Sequence, residues 1–199
     1  MSELVVPVYI VDDDESVRDS LSFMLEGYDF YVVSFNDGQD FIDKIDLMKP
    51  GCVILDSRMP ILRGQEVHAL LNQQKSPLSV IFLTGHGDVP MAVDALKLGA
   101  VDFFQKPVDG EQLALAISKA IVASMSLYDK QESKKVFESL TEREAEILHL
   151  IVAGKRNQQI AAELFVAVRT VEVHRSSLMK KLNAETVADL VMTYAKIHV

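Results

Sequence analysis

The sequence predicts an α/β domain followed by a smaller all-α domain. Five short apolar runs alternate with stretches of helical period over roughly the first 120 residues, the pattern of a parallel sheet covered on both faces. Beyond Glu138 the strand pattern does not return, and only helical period remains. The charge divides in the same place. Residues 1–122 carry a net −10 and residues 123–199 a net +1, within a total of −9.

Taken in order, Val5 to Val11 is an apolar strand that runs into Asp12, Asp13 and Asp14. Ser16 to Leu25 has helical period, with Val17, Leu21, Phe23 or Met24, and Leu25 available to face inward. Tyr31 to Phe35 is the second strand. Asp37 to Met48 is a helix carrying Phe41, Ile42 and Ile45 on one stripe. Cys52 to Leu55 is the third strand, a β-branched and aliphatic run that reads as buried on both faces. Gly64 to Gln74 is a helix, and Ser79 to Leu83 a strand ending at Thr84-Gly85. Pro90 suits an early helical position and Gly99 the helix end. Val101 to Gln105 is the fifth strand, ending at Lys106-Pro107. Asp109 starts a long helix through Ala120 and beyond. These elements set a first domain at 1–123 and a polar helical linker at 124–138. The second domain, 139–199, contains helices Glu142–Ala153, Asn157–Leu164, Thr170–Leu182 and Thr186–Ile197.

Composition bounds the function. An apolar fraction of 49% with 25% charged residues describes a soluble globular chain. No apolar run approaches the roughly 20 residues of a membrane span, and Met-Ser-Glu-Leu is unlike a signal peptide. The single cysteine, Cys52, excludes an internal disulfide and reads as a buried structural thiol in a reducing cytoplasm. The five histidines lack zinc-ligand spacing.

The chemistry gathers at the strand ends. In a parallel sheet the carboxyl ends share one edge, where open α/β sheets bind ligands. Asp12 and Asp13, Asp56, Thr84 and Lys106 all fall there. Each alone has an ordinary explanation: a helix cap, a turn residue or a solvated lysine. Together they place three carboxylates in one crevice, an arrangement that needs a cation, and hard oxygen ligands suit Mg²⁺. A metal-bound Asp56 can act as nucleophile toward a phosphoryl group, with Lys106 and Thr84 available to its oxygens.

The runs Val11-Asp12-Asp13-Asp14, Leu55-Asp56-Ser57-Arg58-Met59-Pro60, Leu83-Thr84-Gly85-His86-Gly87 and Gln105-Lys106-Pro107 resemble the receiver domain of two-component response regulators over residues 5–122. The resemblance implies a flavodoxin-like (βα)5 fold and phosphorylation of Asp56 by a sensor histidine kinase. It implies Mg²⁺ held by Asp13, Asp56 and the Arg58 carbonyl, with Asp12 acting through water. Thr84 and Phe103 match the switch pair, and Lys106-Pro107 matches a peptide bond that is usually cis. One departure is Asp29-Phe30, where receivers usually carry Gly before the aromatic residue. Asp tolerates the left-handed conformation, so an altered turn without functional loss is expected.

In the second half, Gln158 to Leu164 and Arg169 to Arg175 read as helix-turn-helix. Ile160, Ala161, Leu164, Val171, Leu178 and Leu182 are available for the shared apolar seam. Arg169, Arg175, Lys180 and Lys181 face only Glu172 in opposition, a local +3 that suits a phosphate backbone. An ordinary helical bundle with a basic face is the alternative. Leu140-Thr141-Glu142-Arg143-Glu144, with Asn157 to Ala161 and Thr170 to Arg175, resembles the LuxR-type DNA-binding domain. The whole chain resembles the FixJ/NarL class of transcriptional regulators. Phe82 to Val93 and Ala167 to Arg175 are similar to tetrathionate-respiration regulators. Phe165 stands where the family usually has Gly, and Ala167 where it usually has Ser. A left-handed Phe165 is strained, so the turn is expected to be remodelled or Phe165 to have a packing partner. Ala167 is a weak cap.

The function expected is a phosphorylation-gated regulator of promoter DNA. By resemblance, it dimerises through the face of helix 89–99 and strand 101–105. Val93 and Lys97 are outward on that helix, and Ala92, Leu96 and Gly99 are assigned to its buried side. Glu172, Val173 and Ser176 share one face for reading bases. Arg169, Thr170, His174, Arg175 and Lys180 suit phosphates. The partners are then a sensor histidine kinase, double-stranded DNA and a second copy of the chain, with no membrane. A phosphohydrolase using Asp56 is the rival, but Arg58 stands where such enzymes carry a second Asp. An interaction regulator without a DNA role is the third reading, disfavoured by the basic helix-turn-helix.

Overall fold

The structure is a computed structural model that describes residues 5–85 and 89–198. His86 and Gly87, which end the third motif above, and Asp88 after them lie outside the described residues. The chain divides into two compact units, one through Tyr128 and one from Asp129.

The first unit alternates β1 (Val8–Val11), α1 (Glu15–Glu26), β2 (Val32–Phe35), α2 (Gly38–Lys44), β3 (Cys52–Leu55), α3 (Gly64–Gln73), β4 (Ser79–Thr84), α4 (Val89–Lys97), β5 (Asp102–Gln105) and α5 (Gly110–Glu138). The strands form one parallel sheet in the order β2-β1-β3-β4-β5, as in a flavodoxin-like fold. Alternate residues of the central strands feed two cores. Val53, Leu55, Val80 and Phe82 join Phe41, Val67 and Leu71 on one face. Cys52, Ile54, Ile81 and Leu83 join Leu21, Leu25, Leu113 and Ile117 on the other. Burial on both faces is why these strands read as unbroken apolar runs.

Several elements differ from expectation for local reasons. α2 stops at Lys44 because Ile45 is extended and the Asp46 carboxylate accepts the Met48 N–H at 3.0 Å, drawing the backbone into a turn. Phe23 is 83% exposed, so Met24 rather than Phe23 packs inward with Val17, Leu21 and Leu25. On α4 the expected buried side is corrected. Leu96 is 46% exposed and Gly99 is exposed, while Ala95 and Ala100 are buried. Leu96 lies a quarter-turn past Ala95 on the helix, and the small Ala95 side chain takes the place against the sheet. Asp29 adopts the left-handed conformation itself, at φ 63°. The Phe30 N–H reaches back to the Leu25 carbonyl at 3.2 Å and closes α1 as a glycine there would.

α5 is continuous across the boundary between the units. Within the first unit, the buried Ser124 hydroxyl accepts the Gly51 N–H at 2.9 Å.

The second unit carries α6 (Glu142–Val152), α7 (Asn157–Glu163), α8 (Val168–Lys181) and α9 (Val187–His198). Ile147, Leu148, Ile151, Ile160, Ala161, Val171, Leu178, Leu182 and Leu190 form its core, with Val136 and Phe137 of α5 packed against it. α8 begins at Val168, earlier than expected. Its N-cap, Ala167, makes no side-chain capping bond.

Candidate functional site

The apolar strands end together and deliver polar groups to one edge. Asp12 and Asp56 are 3% and 7% exposed, deep for carboxylates. Lys106 at the end of β5 joins them, with Nζ 2.5 Å from Asp12 Oδ2 and 3.1 Å from Asp56 Oδ1. The other Asp56 oxygen accepts the Arg58 N–H at 2.7 Å. Burial raises the Asp12 pKa above the usual carboxylate range, against the lowering effect of its bonds from Lys106 and Asp14. Burial also works to depress the Lys106 ammonium, but its hydrogen bonds to Asp12 and Asp56 outweigh that and raise its pKa. The Lys106-Pro107 peptide bond is cis.

Of the three N-terminal acids, Asp14 is the ordinary helix cap, accepting the Ser16 N–H at 2.9 Å. Asp13 is exposed and lines an open cleft of about 670 Å³ with Arg58, Met59, Arg63 and Met91. No group of three or more acidic, histidine or cysteine side chains forms a ready cation site among the described residues. The donor chemistry still suits Mg²⁺, because Asp12, Asp13 and Asp56 bring carboxylate oxygens to one edge. Gly64 permits the loop to close on this edge. A Cβ there would stand 2.2 Å from the Asp56 carbonyl oxygen.

Thr84 is 1% exposed, and its hydroxyl lies 2.6 Å from that of Ser57, also 1% exposed. Phe103 is half-buried, with its ring centroid 6.3 Å from that of Phe82. Val93 is 41% exposed and Lys97 is exposed, so both are outward on α4.

In the second unit, α8 presents Arg169, Glu172, Val173, Ser176 and Lys180 to solvent, with Val173 62% exposed. Thr170, His174 and Arg175 are half-buried. Among the described residues no ion pair joins Glu172 to Arg169 or Arg175. Arg175 Nη1 instead donates to the Asn157 side chain at 2.9 Å, tying α8 to the start of α7. Lys181 is withdrawn from the basic face, since its ammonium pairs with Glu144 Oε2 at 2.7 Å. Phe165 is left-handed, at φ 53°, and 95% exposed. Neither expected remedy holds: the glycine-like turn is kept, and among the described residues no packing partner covers the ring.

Sequence reasoning missed two residues. Ser57 gave no signal, because only the alignment of β3 with β4 brings it to Thr84. Glu144 had one. Thr141-x-x-Glu144 is a capping box, and α6 opens with both of its reciprocal bonds.

The comparisons agree with this architecture. Residues 8–118 match the response regulator receiver domain, and residues 138–194 match the bacterial regulatory proteins of the luxR family. The tetrathionate response regulatory protein TtrR of Salmonella typhimurium is 42% identical over 190 residues, covering 96% of this chain and 92% of the relative. The transcriptional regulatory protein FixJ of Bradyrhizobium diazoefficiens is 40% identical over 188 residues, with 92% of each covered. Among solved structures, the response regulator StyR aligns at a TM-score of 0.73 and 36% identity, covering 97% of this chain and all of that one. Full-length FixJ from B. japonicum aligns at a TM-score of 0.57 and 38% identity, with 96% of each chain covered. A receiver sheet with a buried acidic edge, followed by a helix-turn-helix unit and matched to such relatives along nearly its whole length, makes this chain a member of the transcriptional response regulators that join a receiver to a LuxR-family DNA-binding domain.

Proposed function

We propose that Asp56 is the phosphoacceptor of this regulator, and that its aspartyl phosphate gates a dimer that binds promoter DNA. The observation that carries the reading is the buried Asp56 carboxylate at the end of β3, flanked by Asp12 and bonded to Lys106 at 3.1 Å. A carboxylate oxygen attacks the phosphorus of a kinase phosphohistidine. The O–P bond forms as the N–P bond breaks, and the imidazole nitrogen keeps the electron pair. Such a transfer depends on positioning and charge compensation. Lys106 supplies a positive charge, and the Thr84 hydroxyl turns to a phosphoryl oxygen with the Phe103 ring following it. Asp13, Asp56 and the Arg58 carbonyl would hold Mg²⁺ directly, with Asp12 acting through water. When bound, the ion neutralises charge on the transferred group. Hydrolysis is confined to slow loss of the protein's own phosphate.

The α4–β5 face, with Val93 and Lys97 exposed, is the proposed dimer surface. On α8, Glu172, Val173 and Ser176 read base edges, while Arg169, Thr170, His174, Arg175 and Lys180 hold phosphates. The absence of any helix long and apolar enough to cross a membrane among the described residues is compatible with action in the cytoplasm.

The test is phosphoryl uptake from acetyl phosphate. Asp56→Asn abolishes acid-labile labelling, and EDTA does the same to the wild type. Equal labelling of the Asn variant places the nucleophile elsewhere.

A further inference from the structure

We infer that Ser57 is a latch on the switch: its hydroxyl holds the Thr84 hydroxyl away from the phosphoryl position and sets how much phosphate binding must do to activate the protein. The inference rests on the reading of Asp56 as phosphoacceptor and Thr84 as switch.

The geometry comes from the sheet. β3 and β4 pair in parallel with Leu55 opposite Phe82. Two residues further on, the same register sets Ser57 opposite Thr84. Side chains alternate along a strand, so both hydroxyls continue the face of Leu55 and Phe82. That face carries the core shared with α3 and α4, including Val67, Leu71 and Ala95. The oxygens are 2.6 Å apart and both residues are 1% exposed. Water therefore does not compete for the bond while it stands.

Asp56 lies between Leu55 and Ser57 in the chain and sends its carboxylate to Lys106 at the strand-end crevice. The latch requires Thr84 to be the donor: its one proton then points at Ser57 and must be re-aimed before Thr84 can donate to a phosphoryl oxygen on Asp56. Were Ser57 the donor, Thr84 could accept from it and donate to the phosphoryl oxygen at once, and removing Ser57 would not tighten binding. Ser57 is a positioning residue: it acts on the phosphoryl group only through Thr84.

A net hydrogen bond of ordinary strength corresponds to about a fivefold bias between two states. When the binding-competent state is a minor one, ligand affinity falls in proportion to its population. Removing the latch therefore tightens binding of any phosphoryl mimic.

The experiment is titration of the full chain with beryllofluoride in the presence of Mg²⁺, read by calorimetry. Ser57→Ala lowers the apparent dissociation constant about fivefold. Ser57→Cys, close in volume with a weaker hydrogen-bonding group, falls between Ala and wild type. A variant that merely damages the fold weakens binding, the opposite sign, and if Ala does not fold the Cys variant alone decides the direction. Unchanged or weaker binding by a folded Ser57 variant overturns the latch. Thr84→Ala separates the layers. Failure of the wild type to bind beryllofluoride sinks the phosphoacceptor reading and the latch with it. Binding that ignores Thr84→Ala sinks the switch reading and again the latch. A Thr84 effect without a Ser57 effect sinks the latch alone.

Discussion

Replacing Glu144 by Gln tests how the DNA-binding unit is held together. Glu144 is 4% exposed and its carboxylate ties the start of α6 to two residues of α8. Oε2 accepts the Thr141 N–H at 2.9 Å and the Lys181 ammonium at 2.7 Å, and Oε1 accepts the Ser177 hydroxyl at 2.7 Å. The bonds from Lys181, Ser177 and Thr141 hold the Glu144 pKa down to about 2, from an ordinary 4.5. Because the folded pKa is depressed, this stabilisation is complete above pH 4.5 and is lost as pH falls toward about 2. The gap corresponds to about 3 kcal/mol. Lys181 is 36% exposed, and solvent screening there trims the figure to about 2 kcal/mol. The Gln variant loses the charge and turns an NH₂ group toward one set of donors, so a cost of about 2–3 kcal/mol is expected at pH 7. In a unit of this size that lowers the melting transition by roughly 10–20 °C. Scanning calorimetry of the full chain, resolving the transition of the second unit at pH 7 and again near pH 3, measures both effects. Wild type and variant converge as pH falls. A Gln variant that melts within a degree or two of wild type at pH 7, or keeps the wild-type acid sensitivity, refutes the argument.

Other perturbations follow from the same geometry. Gly64→Ala drives a Cβ against the Asp56 carbonyl oxygen. It is expected to slow phosphorylation from acetyl phosphate on the order of 10²-fold through displacement of the carboxylate, and wild-type rates would show that the loop yields elsewhere. Phe165→Gly relieves a left-handed aromatic residue that is 95% exposed. Net of glycine's greater freedom in the unfolded chain, it raises stability by about 0.5–1 kcal/mol, read as an upward shift of the second transition. Arg175→Ala weakens specific and random DNA alike and makes the salt slope of binding shallower by about one; it also frees Asn157, so the melt is recorded beside the gel shift. Glu172→Ala leaves the slope nearly unchanged and relaxes preference at one base pair by about 1–3 kcal/mol. Uniform tightening on all sequences makes Glu172 an electrostatic brake only.

The legible parts of the molecule were those written in local pattern. Val53, Ile54 and Leu55 announce a strand buried on both faces, and the parallel topology then carries Asp12, Asp56, Thr84 and Lys106 to one edge. Helix phase was less legible. Phe23 and Leu96 are as apolar as their neighbours, and only packing decides that Met24 and Ala95 take the inward places. Partners distant in sequence were least legible. Lys181 looks like one more basic residue of a DNA-facing helix until α6 brings Glu144 beneath it. Ser57 looks like a spacer between Asp56 and Arg58 until β4 brings Thr84 beside it.

These two hidden contacts differ in kind. Glu144 joins the capping box of α6 to two positions on α8, and nothing in DNA recognition asks it to release any of them. A fixed pin suits a helix whose exposed face must keep one shape on the duplex. On the proposed reading, the buried bonds of the receiver are exchangeable. Lys106 holds Asp12 and Asp56 at the position a phosphoryl group and its cation would claim, and Ser57 holds the hydroxyl that the phosphoryl group needs. On that reading, each of these bonds belongs to the unphosphorylated state and is exchanged when Asp56 carries a phosphoryl group. Their summed difference, a few bonds of about 1 kcal/mol each, is of the size by which one covalent phosphate can reverse a population. If Asp56 is the phosphoacceptor, the edge that accepts the phosphoryl group also sets the threshold for responding to it.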